Sequence, residues 1–575
     1  MNGAQAVVAA LKQQDVRTVF GYPGGCIMPV YDALLDVGDA LQHILCRHEQ
    51  ACALAADGYA RASGRVGVCL ATSGPGATNL ITGVANAFMD SIPMVVLTGQ
   101  VPTGLIGTDA FQETDILGMT LGIVKHSYLV TSADSIPGIM AEAFRLARSG
   151  RPGPVWIDLP KDVLLQSLSP AVHQPEQANK ATTEPELALD APEATWQTAT
   201  QVLIGRAEKP LVYFGGGVVA AGAVTALRGW LAQEALPSVC TLKGIGVAAK
   251  SDVRHLGMLG MHGSRAANEA VEECDLLIAL GVRFDDRATG KVSQFARNAR
   301  IIHVDCDAAE LNKLRAVDLG IQAPLTQALD RMAGFKPSAE WARRIATLKQ
   351  LKGFQVAANL EQEISSITGP RFISALSRLA PAGTVLACDV GQHQMWVAQH
   401  FAFDSPACHL SSSGLGTMGY GLPAAIGAQL SNPEAVVVNV SGDGSFMMNL
   451  QELATIRRYR LPVKIIVLDN QYLGMVRQQQ ELFYKRRYSE VDLSDNPEFT
   501  EVARAFGMNT LKITRSNEIR RGIETLFAYP GAMLLHVLIE QEDNVWPIVA
   551  PGSANRDMID PIQSERKTQR QGAKK

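Results

Sequence analysis

The chain has 575 residues, too many for a single hydrophobic core, and at about 150 residues per domain its length predicts three or four. Its composition, 47% apolar and 19% charged, is that of an ordinary globular protein, and a formal net charge of −4 offers no electrostatic case for nucleic acid or an anionic membrane. No uninterrupted apolar stretch reaches the roughly 18 residues of a membrane span.

Met1 to Val8 enter an amphipathic helix directly, with no signal h-region and no Arg/Ser-rich transit segment. A strand is expected over Leu41–Leu45, a helix from about Glu49, a strand over Val66–Ala71, a tight Gly74-Pro75-Gly76-Ala77-Thr78-Asn79 loop before another helix, and a strand over Met94–Leu97. A Ser/Pro/Gln/Glu/Ala-rich linker follows at about 165–193. The middle block repeats the rhythm. Leu211–Phe214 runs into Gly215-Gly216-Gly217, Leu276–Leu280 into Gly281 to Arg287, and Ile301–Val304 into Asp305. A second linker, about 336–369, is charged and partly helical. In the last block Val436–Val440 reads as a buried strand, Phe446, Leu450, Leu453 and Ile456 recur at helical spacing, and Lys464–Leu468 reads as the next strand. The tail from about Ser564 is polar and basic and reads as a frayed, solvated terminus. Alternating strands and helices imply three doubly wound, mainly parallel α/β domains, over about 1–165, 190–335 and 365–545, with a C-terminal segment at 546–575. The first and last blocks, similar in size and rhythm, read as possible ancient duplicates. Nine scattered cysteines show no Cys-x-x-Cys. Cys69, Cys240, Cys306 and Cys388 lie in or beside apolar strands and read as small core residues in a reducing compartment, so the cytoplasm is expected.

The chemistry concentrates at the last two strand ends. In a right-handed βαβ unit Gly442-Asp443-Gly444 and Asn470 stand side by side at the carboxyl edge of the sheet. A carboxylate and an amide carbonyl are hard oxygen ligands that suit Mg²⁺. The helix opening at Ser445 points free N–H groups at the same spot, which favours an anion. The pattern therefore predicts a Mg²⁺-bound diphosphate, whereas an isolated Gly-Asp-Gly would be a turn and cap. Glu49, at a strand–helix junction, read alone is a first-turn acid complementing the helix dipole. Gly215 to Gly217 suit either a close backbone approach to a ligand or a plain turn. Asp305 is the acidic type that grips a ribose or ribityl hydroxyl. His262 alone reads as a hydrogen-bonded loop histidine, and Met418 as a core methionine.

The Gly-Asp-Gly…Asn spacing resembles the thiamine diphosphate motif, in which a main-chain carbonyl two residues past the Asn, here Tyr472, is a third protein ligand of the metal. A longer series of motifs resembles the catalytic subunit of acetohydroxyacid synthase (acetolactate synthase). The series comprises Tyr22-Pro23-Gly24-Gly25, Arg47-His48-Glu49, Ser73 to Asn79, Gly107 to Glu113, Gly150-Arg151-Pro152-Gly153-Pro154, Gly281 to Arg287, Asp389 to Trp396, Gly414 to Gly421 and Met475-Val476-Arg477-Gln478. The resemblance spans the chain except its linkers and tail.

It implies three thiamine-fold domains, pyrimidine-binding, Rossmann-like and diphosphate-binding, and three cofactors: thiamine diphosphate, Mg²⁺ and FAD. Glu49 would be the acid that activates the cofactor by protonating ring N1′, so that the 4′-amino group can remove the C2 proton. Val390, Gly391, Gln392 and His393, with Pro75, Asn79, Gly444 and Ser445, would line thiamine diphosphate. The Gly416 main chain would accept from the 4′-amino group, Met418 would wedge the cofactor into its bent form, and Asp443, Asn470 and Tyr472 would hold Mg²⁺. Arg151, Gly215, Gly216, Gly217, Gly260, Met261, His262, Gly263, Arg283, Asp286 and Asp305 would enclose an FAD with no redox part in the main reaction. Arg287 would grip the carboxylate of a second 2-ketoacid bidentately, unless it is a surface salt bridge to Asp285 or Asp286. Phe111, Gln112, Lys161 and Met261 would surround that acceptor.

The implied activity is decarboxylation of pyruvate and condensation of its two-carbon unit with pyruvate or 2-ketobutyrate, giving 2-acetolactate or 2-aceto-2-hydroxybutyrate in branched-chain amino-acid biosynthesis. The implied assembly is a homodimer or homotetramer with sites across the subunit interface, joined by a small regulatory subunit, with no nucleic-acid or membrane partner. One position departs from the family: Gln479 stands where a Trp usually packs against the extra methyl of 2-ketobutyrate and holds sulfonylurea-type inhibitors. Three rivals share parts of the pattern. They are a pyruvate-oxidase-type oxidoreductase, a flavin-free catabolic acetolactate synthase, which the Arg283 to Arg287 run argues against, and a non-catalytic paralogue, which intact Glu49, Asp443 and Asn470 argue against.

Overall fold

The structure, a computed structural model, describes residues 1–169, 193–249, 251–350 and 366–561. Most of the first linker, residues 351–365 of the second and the basic tail lie outside the described residues. Three six-stranded sheets follow one another along the chain, and every paired strand in them is parallel.

The first contains β1 (Thr18–Gly21), β2 (Gln42–Leu45), β3 (Gly67–Ala71), β4 (Met94–Gln100), β5 (His126–Leu129) and β6 (Pro154–Pro160) in the order β2-β1-β3-β4-β6-β5. The second contains β7 (Pro210–Phe214), β8 (Ser238–Cys240), β9 (His255–Met258), β10 (Leu276–Leu280), β11 (Arg300–Asp305) and β12 (Leu319–Gln322) in the order β12-β11-β10-β7-β8-β9. The third contains β13 (Val385–Cys388), β14 (His409–Ser411), β15 (Val437–Gly442), β16 (Lys464–Asp469), β17 (Asn509–Ile513) and β18 (Met533–Leu538) in the order β14-β13-β15-β16-β18-β17. Counted within each block, the first and third sheets share one order, 2-1-3-4-6-5. The central sheet, read from β9, runs 3-2-1-4-5-6, the Rossmann order.

The central strands β3, β4, β15 and β16 are buried along their whole length, as expected of parallel strands covered by helices on both faces. The first and third blocks join through two helices rich in Ala and Gly, Glu49–Ser63 and Gly421–Ser431. A Cβ on Gly427 would stand 1.9 Å from the Ala55 carbonyl oxygen, and one on Gly58 would stand 2.3 Å from that of Ala424, so backbone meets backbone.

Three expectations need adjustment. Strand ends move by one to three residues, as between Leu41–Leu45 and the observed Gln42–Leu45 or Met94–Leu97 and the observed Met94–Gln100. The helix expected through Phe446 and Ile456 is broken into Asp443–Met447, a 3-10 turn Leu450–Glu452 and Leu453–Tyr459. At the break the buried Asn449 spends its Nδ2 on the Gly419 carbonyl at 2.7 Å and on Gln50 Oε1 at 3.3 Å, tertiary bonds that compete with helical continuation. The helical part of the second linker, Ala339–Gln350, belongs to the central block: Trp341, Ile345 and Leu348 are buried and Trp341 Nε1 donates to the Pro210 carbonyl at 2.9 Å. Cys69, Cys240 and Cys388 are buried, Cys306 is half-buried, and no disulfide joins any of the nine cysteines.

Candidate active site

At the carboxyl edge of the third sheet, Gly442 pairs with Leu468, so Asp443, Asp469 and Asn470 emerge side by side. Asp443 is 2% exposed and accepts from Asn496 Nδ2 at 3.0 Å. Among the described residues no Lys, Arg or His pairs with it. Burial, and then the neighbouring Asp469 carboxylate, push its carboxyl well above the usual range. Such a buried, uncompensated carboxylate fits a cation. Asn470 is oriented by its Nδ2, which donates to Gln392 Oε1 at 3.2 Å. Its Oδ1 accepts from Tyr472 N at 3.2 Å and keeps a second lone pair. The Tyr472 carbonyl accepts no main-chain hydrogen bond among the described residues. One carboxylate, one amide oxygen and one main-chain carbonyl leave the other octahedral positions to phosphate and water, the mode Mg²⁺ prefers.

The same edge supplies anion donors. Gly391, at φ +154°, caps the helix Gln392–His400, and the first-turn amides of Gln392 and His393 find no acceptor among the described residues. The side chains of these two residues are otherwise engaged. Gln392 Nε2 donates to the Asp543 carbonyl at 2.9 Å and to Gln478 Oε1 at 3.2 Å. The buried His393 ring accepts from Gly442 N at 3.3 Å, and burial lowers it to about 3, so it is neutral. What they offer an anion at this edge is therefore their main-chain amides. Val390 N is already held by Asp389 Oδ1 at 2.8 Å. Ser445 Oγ donates to the Gly442 carbonyl at 3.2 Å. The Met418 methyl lies 3.8 Å from where a Cβ on Gly444 would stand, and Gly416, at φ +72°, turns the loop just before it.

In the first block, Glu49 opens its helix, capped by His48 Nδ1, which accepts from Gln50 N at 3.1 Å. Asn79 Nδ2 donates to Glu49 Oε2 at 3.0 Å. A Cβ on Gly76 would stand 3.5 Å from Glu49 Oε1, and one on Gly74 would meet the Gln112 backbone at 2.9 Å. Glu49, Asn79, the Pro75 turn and the Gln112 loop thus form one surface. Phe111 is 89% exposed. Lys161 follows Pro160, which pairs with Gln100 at the end of β4. Among the described residues no hydrogen bond joins the Glu49 side chain to Asp443, Asn470 or Tyr472.

In the central block, Gly215 and Gly217 end β7 at the switch point beside β10. A Cβ on Gly217 would stand 2.6 Å from Gly281 Cα, so these glycines let two strand-end loops touch at the crevice where this topology takes a ligand. A Cβ on Gly216 would meet the Lys243 side chain at 3.2 Å. Asp305, buried and raised to about 6 by desolvation, accepts from Asp307 N at 2.9 Å. Arg151 donates to Ser91 Oγ and Glu310 Oε1, both at 2.8 Å, and Arg283 to the Met89 carbonyl at 2.7 Å, so both tie the first block to the second. The Gly260-Met261-His262-Gly263 turn is fixed by Asn268, which bonds the Gly260 N–H and carbonyl at 2.8 and 2.9 Å. Burial lowers His262 to about 4. Arg287 Nη1 approaches Met261 Sδ at 3.7 Å and Asp286 at 3.7 Å. Asp285, by contrast, caps its own helix by accepting from Arg287 N and Ala288 N. The Arg287 side chain is mostly exposed, held by no tight ion pair. Gln479 is also exposed, on the helix Gly474–Phe483.

Sequence reasoning missed Asp469, Asn496 and Asn268. The first adjoins Asn470 and was within reach of the strand-end argument. Asn496 is a loop amide whose partner Asp443 lies 53 residues away, and Asn268 is a helix amide that bonds the main chain of Gly260 eight residues before it.

Comparison with known proteins agrees with this layout. Family models described as thiamine pyrophosphate enzyme N-terminal, central and C-terminal domains match residues 1–119, 198–332 and 389–537. The chain is 52% identical to the acetolactate synthase isozyme 2 large subunit of Escherichia coli K12, over 98% of this chain and 100% of that one. It is 46% identical to the acetolactate synthase large subunit of Parasynechococcus marenigrum, over 97% and 91% of the two chains. It is 43% identical to the E. coli isozyme 1 large subunit, over 97% of each.

Proposed function

The chain belongs to the acetolactate synthase large subunits of the thiamine diphosphate enzymes, and from that premise we propose how its residues divide the work. The reaction is the family's: pyruvate loses CO₂ and its two-carbon unit is joined to a second 2-ketoacid, pyruvate or 2-ketobutyrate. Thiamine diphosphate, when bound, supplies the carbon that attacks pyruvate and the electron sink that makes decarboxylation possible. Asp443, Asn470 and the Tyr472 carbonyl hold Mg²⁺, with the free amides of Gln392 and His393 and the Gly444-Ser445 turn facing the diphosphate. Glu49, steadied by Asn79, holds the proton for the pyrimidine ring. The Gly416 carbonyl orients the amino group, and Met418 with Gly444 shapes the space that bends the cofactor. Arg287, exposed and only loosely paired with Asp286, offers its fork to the acceptor carboxylate beside Met261, and Phe111, Gln112 and Lys161 close the acceptor side.

The observation that carries this reading is the convergence of Asp443, buried without a cationic partner, with Asn470 and the free Tyr472 carbonyl at one sheet edge. FAD suits the central block, where the Gly215 to Gly217 loop and Gly281 meet at the switch point of a Rossmann sheet. Arg151, Arg283, Asp286, Asp305 and the Gly260 to Gly263 turn are the residues that would enclose it, in a structural role. Among the described residues no hydrogen bond joins Glu49 to the Asp443 cluster within one chain, which favours a site shared between two copies. Exposed Phe111, Leu121, Leu415 and Met448 offer the apolar surface such an interface needs. A small regulatory subunit completes the expected assembly. Nine cysteines with no disulfide suit a reducing cytoplasm, and among the described residues no helix is long and apolar enough to cross a membrane.

Product analysis tests the reading. Pyruvate alone should give 2-acetolactate and CO₂, and mixed ketoacids should also give 2-aceto-2-hydroxybutyrate. Acetate or acetyl phosphate with bleaching of bound flavin would point to the oxidase reading instead.

A further inference from the structure

The two loops assigned to cofactor activation are each held by the opposite block of the same chain. The Cys46 to Glu49 turn follows β2, and the Ser412 to Met418 loop follows β14, which fills the same slot in the third sheet. Glu452, in the helical stretch after β15, is fully buried. Its Oε1 accepts from Arg47 N at 2.9 Å, and its Oε2 accepts from the Thr455 hydroxyl at 2.6 Å. From the same stretch Tyr459 Oη accepts from Leu45 N at 2.8 Å, and Asn449 Nδ2 donates to Gln50 Oε1 at 3.3 Å. The third block therefore grips the chain on both sides of Glu49.

The reverse arrangement is built from matching positions. Asp90, at the end of the helix after β3, is buried. Its Oδ1 accepts from Gly414 N at 2.9 Å, and its Oδ2 accepts from Ser413 N at 3.1 Å and Arg61 Nη2 at 2.8 Å. Asn86 Oδ1 accepts from the hydroxyls of Ser412 and Thr417. The first block therefore fixes both ends of the turn that carries Gly416 and leads into Met418.

A buried carboxylate is costly unless its bonds are made; Thr455 satisfies one oxygen of Glu452, and Arg61 pairs with Asp90, with Lys243 3.9 Å away, while the remaining bonds of both go to the main chain of a loop in the other block. Among the described residues no hydrogen bond or ion pair joins either carboxylate to the residues proposed to meet metal or substrate. We propose that Glu452 and Asp90 are positioning residues for cofactor activation. Glu452 sets the main chain that carries Glu49, and Asp90 sets the loop that carries Gly416 and Met418, each acting from the opposite block. The inference rests on the roles proposed above for Glu49, Gly416 and Met418.

The test uses the whole chain with saturating thiamine diphosphate and Mg²⁺. The readout is hydrogen–deuterium exchange at C2 of the bound cofactor, alongside cofactor titration and unfolding midpoints. Glu452→Ala and Asp90→Ala should slow exchange by about 10²-fold, the effect of misplacing a catalytic group by about 1 Å, while still saturating with cofactor. Glu452→Gln, whose amide oxygen still accepts from Arg47 N, should recover most of the loss. Adding Glu452→Ala to Glu49→Gln should slow exchange no further, because Glu452 acts through Glu49. Should the alanine variants fail to fold, Glu452→Asp, which withdraws the carboxylate from Arg47 N, should still slow exchange about 10-fold. Parent-rate exchange in a folded, saturated Glu452 or Asp90 variant, with Glu49→Gln slow, would overturn the inference alone. Parent-rate exchange in Glu49→Gln would overturn the role of Glu49 and the inference with it.

Discussion

The first and third sheets have the same strand order, but the residues at matching strand ends differ in kind. Where β15 runs into Asp443-Gly444 and β16 into Asn470, β3 runs into Thr72-Ser73-Gly74-Pro75 and β4 into Val101. The third block therefore presents oxygen donors and free amides, the set for a metal-bound diphosphate. The first presents no carboxylate there and instead carries Glu49 two strands from β3, after β2. One scaffold thus hosts two halves of a site whose chemistry lies in the grafted loops. The pairing of the helices Glu49–Ser63 and Gly421–Ser431 through Gly58 and Gly427 packs the first and third blocks of one chain against each other.

The sharpest break in the comparison is Asp443→Ala. Removing the one charged donor should abolish activity at low Mg²⁺ and thiamine diphosphate while the apo fold survives, since a strand-end ligand is not core. An unchanged Mg²⁺ titration would detach the metal from the third block. Glu49→Gln attacks the other half. It should lower kcat by about 10²–10⁴-fold with cofactor affinity kept, the scale for loss of a general acid–base group. Loss of cofactor binding instead would make Glu49 a ligand of the same kind as Asp443.

A smaller effect is expected at Gln479, the point where this chain leaves the family pattern. Its exposed amide gains little from an extra methyl, so preference for 2-ketobutyrate over pyruvate should be weak and sulfonylurea-type inhibition reduced. Gln479→Trp should raise acceptor preference by about 10–200-fold, the value of roughly 1–3 kcal/mol for one methylene in an apolar pocket. A competition assay with both ketoacids reads this directly, and strong preference already present in the parent would move selectivity elsewhere. The smallest effect separates the blocks by pH. Burial raises the Asp158 carboxyl in the first sheet to about 7, against hydrogen bonds from Thr98 and Gln100 that favour its charged form. A raised folded-state pKa means that its contribution is full below the ordinary value and lost as pH climbs to about 7. The stability gap between the parent and Asp158→Asn should therefore narrow between about pH 4 and 7. A gap that widens over that range would contradict the protonated, buried state.

Much of this was legible in the sequence, because buried parallel strands are short apolar runs and their ends carry the motifs. Val437–Gly442 and Lys464–Asp469 announced themselves, and with them Asp443 and Asn470. Asn449 was not legible. The helical spacing of Phe446, Leu450, Leu453 and Ile456 continues across the break, and only the bonds to Gly419 and Gln50 show why the helix stops. Glu452 and Asp90 escaped for a related reason. A lone acid on a helix reads as a solvated surface position, and its partners, Arg47 N and Gly414 N, lie more than three hundred residues away. Spacing also offers no hint that Gln392 and His393 engage their side chains within the protein and leave their amides without an acceptor among the described residues.

The central claim is that the site is assembled from the first block of one chain and the third block of another. Mixing two inactive variants tests it most directly: Glu49→Gln, which retains Asp443, with Asp443→Ala, which retains Glu49. If the halves meet across two chains, each mixed dimer contains one site with both groups intact, and acetolactate formation should reappear on subunit exchange. If both halves serve the same chain, every site in the mixture lacks one group. Continued silence after exchange has been verified would contradict the account.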